Sequence, residues 1–216
     1  MSVLAPEARR WLDSRLPPEA RVTVAGVAGG VGATTVTGLI WWALTTYGDH
    51  AVKLVDHGGG SLHARLPVAA PARTPDLTLH DAGAVALTGV AALRDHAPLV
   101  LVCGAHDAGL RAAATALRQY ARGPEDAWHR CVVVPVATTG AGLTGAELQR
   151  RAEALGIPAA LVPVRRSAPL AAGGDIPAPG ASRTLADAHR SGVAIAAEAL
   201  RCLTTGMGTT THPKRP

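Results

Sequence analysis

The sequence predicts a three-layer α/β fold: a mostly parallel, twisted sheet with helices on both faces. Three observations predict it. Several apolar runs of strand length lack polar alternation, helix-length segments separate them, and a glycine cluster joins the first run to the first helix. The chain has 216 residues, which at roughly 100 to 200 residues per domain argues for one domain. With 48% hydrophobic residues, 17% charged residues and a mean hydropathy of +0.18, it can offset its ordering entropy by apolar burial.

The elements follow in order. Residues 1–20 form an arginine-rich helical lead-in, broken at Pro17-Pro18. Residues 21–27 (RVTVAGV) read as a short buried strand, followed by the glycine cluster and a helix over 34–46. Residues 51–56 (AVKLVD) are a second buried strand that closes on Asp56, and strand, glycine loop, helix and strand make a βαβ unit. Residues 58–74 are rich in Gly, Pro and Ala and read as loop. Residues 76–81 (DLTLHD) form a third strand ending on Asp81. Three further apolar runs, 98–103, 130–136 and 158–164, alternate with helices expected at 109–120, 144–155 and 182–203. One α/β domain is therefore expected over 21–204, with a polar Thr/Pro-rich tail over 205–216 expected to be disordered.

Composition narrows the function classes. No apolar run approaches the roughly 18 to 20 residues of a membrane-spanning helix, and the N-terminal stretch lacks the h-region of a signal peptide, so the expected compartment is the cytosol. Cys103, Cys131 and Cys202 form no C-x-x-C pair and fit reduced core thiols. The formal net charge is +5, but the arginines are scattered in short pairs, so a solvated basic surface is the first reading and nucleic-acid contact the weaker one. Only Lys53 and Lys214 are available to chemistry that needs a lysine.

In such sheets ligands sit beyond the carboxyl ends of the strands. A glycine loop there lets backbone N–H groups converge on an anion, helped by the helix N-terminus. Ala28-Gly29-Gly30-Val31-Gly32-Ala33-Thr34-Thr35 has that placement. The octet resembles the deviant Walker A loop, K-G-G-x-G-K-T-T, of the MinD/ParA branch of P-loop ATPases. The resemblance extends over roughly 21–204. Asp56 looks like the first acid of that family's D-x-D, Asp81 resembles its Walker B aspartate, and residues 157–177 are similar to its late segment near the nucleotide base. The resemblance implies ATP or ADP with Mg²⁺ as cofactors. It places Gly29, Gly30, Val31, Gly32, Ala33, Thr34, Thr35 and Asp56 at the nucleotide, and Thr34 and Asp81 at the metal.

The departures concern charge. Ala28 stands at the family's signature lysine, Ala33 at its Walker lysine, and Gly58 at the second acid of D-x-D. Charge-assisted hydrogen bonds contribute about 1.5 to 3 kcal/mol each, so two lost lysines weaken polyanion binding by about a hundred- to ten-thousand-fold. Hydrolysis should suffer more, because positioning and electrostatics carry phosphoryl transfer. Lys53 and Lys214 are poorly placed to compensate, which leaves Arg165 or Arg166 as the substitute cation.

Two functions are therefore expected: a non-hydrolysing pseudo-ATPase that serves as a binding or regulatory component with a protein partner, or a weak Mg²⁺-ATPase that uses an arginine. A homodimer is compatible with either, although Ala28 removes the lysine that the family extends across its nucleotide-gated interface. Other constellations are weaker. The H-G-G-G of 57–60 lacks a G-x-S-x-G partner. The glycine spacing is not G-x-G-x-x-G, and the nine histidines show no ligand spacing. Of Trp41 and Trp42, neighbours about 100° apart on one helix, one is expected in the core and the other is available for a partner.

Overall fold

The structure, a computed structural model, describes residues 4–58, 61–66, 73–85, 98–121, 129–140 and 142–205. Gly59 and Gly60 of the H-G-G-G run lie outside these residues, as does the expected tail beyond Thr205. Six strands form one parallel sheet: β1 (Ala20–Gly26), β2 (Val52–Asp56), β3 (Leu77–Ala84), β4 (Leu99–Gly104), β5 (Cys131–Val136) and β6 (Ala160–Leu161), in the order β2-β3-β1-β4-β5-β6. The chain starts at β1 in the middle of the sheet, goes out to β2 at the edge, returns through β3 between them, then passes to the other side of β1 to continue through β4. That reversal is the topological switch point at which parallel sheets open a crevice.

Alternation along the central strands separates two cores. Val100 and Val102 of β4 face a core shared with Val22 and Val24 of β1 and with two helices, α2 (Ala33–Thr46) and α6 (Ala186–Thr205). Leu99, Leu101 and Cys103 face the opposite side, where α3 (Asp107–Tyr120) and α4 (Gly145–Ala154) contribute Leu110, Leu117 and Leu148. A strand buried on both faces needs apolar residues at every position, which is why β4 and β5 read as unbroken runs. The expected three-layer architecture with a parallel sheet is therefore present.

The lead-in contributes α1 (Pro6–Leu12), which packs on α6 and buries Leu12 completely. Proline occupies the first turn of α1, where the missing N–H has no helical partner to lose. Helix α4 begins with a capping box: Thr144 Oγ1 accepts from the Glu147 N–H while the Glu147 carboxylate accepts from the Thr144 N–H. Among the described residues, no helix is long and apolar enough to cross a membrane.

Two expectations need correction. Strand β3 does not end on Asp81 but runs on to Ala84, because its pairing with β1 continues past a register shift to Gly26↔Ala84. The run 158–164 is a regular strand for only two residues; Pro163 has no N–H to donate, and pairing resumes as a single bridge, Val136↔Val164. The indole N–H of the half-buried Trp42 donates to the Ile176 carbonyl at 2.8 Å. Trp41 is buried and meets Trp42 edge to face, with centroids 4.6 Å apart.

Candidate functional site

The β1–α2 loop is shaped by glycines where it must be. Gly30 and Gly32 have φ of +75° and +96°, a region that side chains rarely adopt, and Gly32 caps α2 from that conformation. Gly26 lies under the loop, where a Cβ would come within 2.8 Å of Val31 Cγ2. The loop thus turns sharply at the carboxyl end of the central strand, and its helix start faces open space.

That space is a cleft of about 340 Å³. Gly30, Val31, Gly32, Ala33, Thr34 and Thr35 border it, as do Ala28 and Arg165. Val136 at the end of β5, Ala137 and Thr138 just beyond it, and Val164 form another part of its wall. A short helix, α5 (Ala168–Ala171), was not expected from the sequence and supplies Leu170 and Ala171 to the lining. Gly29 is exposed and does not border the cleft; Arg166 opens instead on a neighbouring hollow that it shares with Arg190. Lys53 is exposed on the edge strand β2, away from the cleft.

The two acids lie side by side, since Asp56 of β2 and Asp81 of β3 are register partners. Asp56 is occupied locally: Oδ1 accepts from the Gly58 N–H at 2.7 Å and Oδ2 from the Leu62 N–H at 2.9 Å, which folds the following loop. Asp81 is fully buried. Its Oδ1 accepts from the Gly83 N–H at 2.9 Å, while Oδ2 is without a hydrogen-bond partner. Burial raises the Asp81 carboxyl above the ordinary carboxylate range, against the Gly83 N–H and the Thr34 hydroxyl, and the Asp56 charge adds to the rise. The Thr34 hydroxyl also lies 3.5 Å from Ser61 Oγ.

A raised carboxyl pKa makes the folded chain take up a proton between the unfolded and folded values. Stability therefore falls as pH rises through that window, and the deficit is complete above the folded value. Asp81→Asn keeps an acceptor for Gly83 and removes the charge. We expect it to stabilise the fold at pH 7, with the gain falling away as pH drops to the ordinary carboxylate value of 3.8, measured by urea unfolding at both. A variant less stable than the native chain at pH 7 would mean that the carboxylate makes a favourable contact.

Sequence reasoning missed Arg65. It follows β2, is half-buried and borders the cleft. Its Nη1 donates to Thr35 Oγ1 at 2.8 Å, its Nε to the Gly174 carbonyl at 2.8 Å and its Nη2 to the Leu170 carbonyl at 3.3 Å. These partners are 30, 109 and 105 residues away in sequence, so no local pattern marks the residue. The only signal was a single arginine in a loop at the carboxyl end of a strand.

The three thiols are buried. Desolvation pushes Cys103 and Cys131 up to about 12 and Cys202 to about 11, so no thiolate nucleophile forms near neutral pH. Toward nucleotide and magnesium the site fits in part. Loop backbone and Thr34 border the cleft and the buried Asp81 lies next to Thr34 without lining the cleft, while Ala28 and Ala33 present only methyl groups to it. No protein-family model matches the chain, and no curated protein matches it.

Proposed function

We propose that this chain is a degenerate relative of the MinD/ParA P-loop ATPases that holds a phosphate-bearing ligand without hydrolysing it. It acts in the cytosol as a binding or regulatory component for a protein partner. The observation that carries the reading is a glycine-loop cleft at the switch point of the sheet with Ala28 and Ala33 at both lysine positions. Loop amides and the start of α2 supply attraction for an anion. The charge stabilisation on which phosphoryl transfer depends is missing.

A second reading, a weak Mg²⁺-ATPase with an arginine in place of the Walker lysine, is favoured by Arg65 and Arg165 at the cleft and by the nearness of Thr34 to Asp81. Titration with a fluorescent ATP analogue, with and without Mg²⁺ and followed by turnover, separates the two. The non-hydrolysing reading expects weak, Mg²⁺-indifferent binding and no turnover. The ATPase reading expects tight, Mg²⁺-dependent binding that Asp81→Ala abolishes.

A further inference from the structure

Arg65 is unusual for its surroundings. Partly buried cations are normally paired with an acid, because desolvating an unpaired charge is costly. All three hydrogen-bond partners of Arg65 are neutral, and among the described residues no carboxylate lies within salt-bridge distance of it. Burial lowers its pKa, opposed by the more distant Asp175, yet a guanidinium stays protonated. Of its five N–H donors, the three bonds leave one on each terminal nitrogen. The cleft it borders also contains Ser167, whose buried Oγ has no hydrogen-bond partner, and on its rim the exposed Arg165. A cation and a hydroxyl whose hydrogen-bonding capacity the described residues do not fill thus border one cavity with the glycine loop.

We propose that Arg65 is the anion anchor of the cleft, replacing the absent loop lysines from a different segment of the chain, and that its ligand is a phosphomonoester and not a nucleoside triphosphate. This rests on the reading of the cleft as a phosphate site and specifies what that site takes. A phosphomonoester carries about −1.5 to −2 charges near neutral pH, which the guanidiniums of Arg65 and Arg165 balance. A triphosphate carries more negative charge than these two guanidiniums offset, and no lysine borders the cleft to balance the rest. The remaining wall, with Val31, Val136, Val164 and Leu170, suits an apolar or ring-shaped body attached to the phosphate. The same guanidinium holds the carbonyls of Leu170 and Gly174, and Ile176 of that segment accepts from Trp42, which makes the indole the reporter to follow in the titration.

The test is isothermal titration of the full chain with inorganic phosphate, AMP and ribose 5-phosphate, with tryptophan fluorescence recorded in parallel. At least one probe binds, and Arg65→Gln weakens that binding about ten- to a hundredfold. Arg65→Lys, which keeps the charge, retains part of the affinity, and Arg165→Gln weakens it less than Arg65→Gln does. Equal affinity for phosphate and AMP assigns recognition to the phosphate alone; tighter AMP assigns it to a nucleotide, and tighter ribose 5-phosphate to a sugar phosphate. If Arg65→Gln fails to fold, phenylglyoxal modification of the native chain decides, with bound probe shielding Arg65 from the reagent. No binding up to about 10 mM, unchanged affinity in Arg65→Gln, or an unshielded Arg65 overturns the proposal. Failure of the underlying reading looks different: it appears as ATP turnover, or as no binding of any phosphate probe, ATP included; binding that Arg65→Gln leaves unchanged, or that leaves Arg65 unshielded, overturns only the anchor.

Discussion

Ala33→Lys is expected to bind ATP about ten- to a hundredfold more tightly than the native chain, the effect of one charge-assisted hydrogen bond in a partly enclosed site. Ala33 is the first residue of α2, only 7% exposed yet on the cleft wall, so a longer side chain from this position has the cavity to extend into. Gly32 keeps its left-handed conformation in the variant, and the loop does not need to change course. On the proposed function the gain is confined to affinity, because that reading puts Gly58 at the second acid and Ala28 at the second lysine of the related ATPases. Titration with a fluorescent ATP analogue reads the change. An affinity equal to that of the native chain would mean that the loop does not face the phosphate as described.

Gly109→Ala is expected to destabilise the fold by about 3 kcal/mol, at the upper end of overpacking effects. Helix α3 begins directly over the end of β4, and a Cβ at Gly109 would lie 2.2 Å from the Gly104 carbonyl oxygen and 2.8 Å from its nitrogen. These are backbone atoms of a strand paired with β5, so neither can rotate away as a side chain could. The Gly109 N–H also receives the cap from His106 Nδ1 at 3.1 Å, which fixes the helix start in place. For a chain of this length the loss corresponds to a fall of about 6 to 12 °C in Tm. Gly145→Ala is the control. It opens α4 with no heavy atom near the added Cβ, and alanine is the better helix former, so the variant should match or exceed the native chain. A Gly109→Ala variant within about 0.5 kcal/mol of the native chain would show that α3 sits further from β4 than described.

Most of the sheet was legible because its strands are buried on both faces. PLVLVC and CVVVPV admit no polar alternation, and their spacing by helical segments requires parallel pairing. The glycine loop was legible for a related reason, since Gly30 and Gly32 occupy backbone conformations that other residues avoid. What escaped depends on contacts between distant parts of the chain. Asp81 looked like a strand end because polar residues usually close buried strands; the pairing that carries β3 to Ala84 comes from β1, more than fifty residues earlier. Helix α5, of four residues, is too short to show a periodicity. Arg65 sat in a stretch that read only as loop, and its significance lies in Thr35, Leu170 and Gly174, which the fold brings to it.

On the proposed function the cleft is a phosphate cradle without the charge needed to hold and cleave ATP. The most direct measurement is equilibrium titration of the full chain with a fluorescent ATP analogue, with and without Mg²⁺, in the native chain and in Asp81→Ala. The account predicts millimolar or weaker affinity, about −4 kcal/mol or less favourable, unchanged by Mg²⁺ or by the substitution, and no phosphate release. Micromolar, Mg²⁺-dependent binding that disappears in Asp81→Ala, accompanied by turnover, would contradict it.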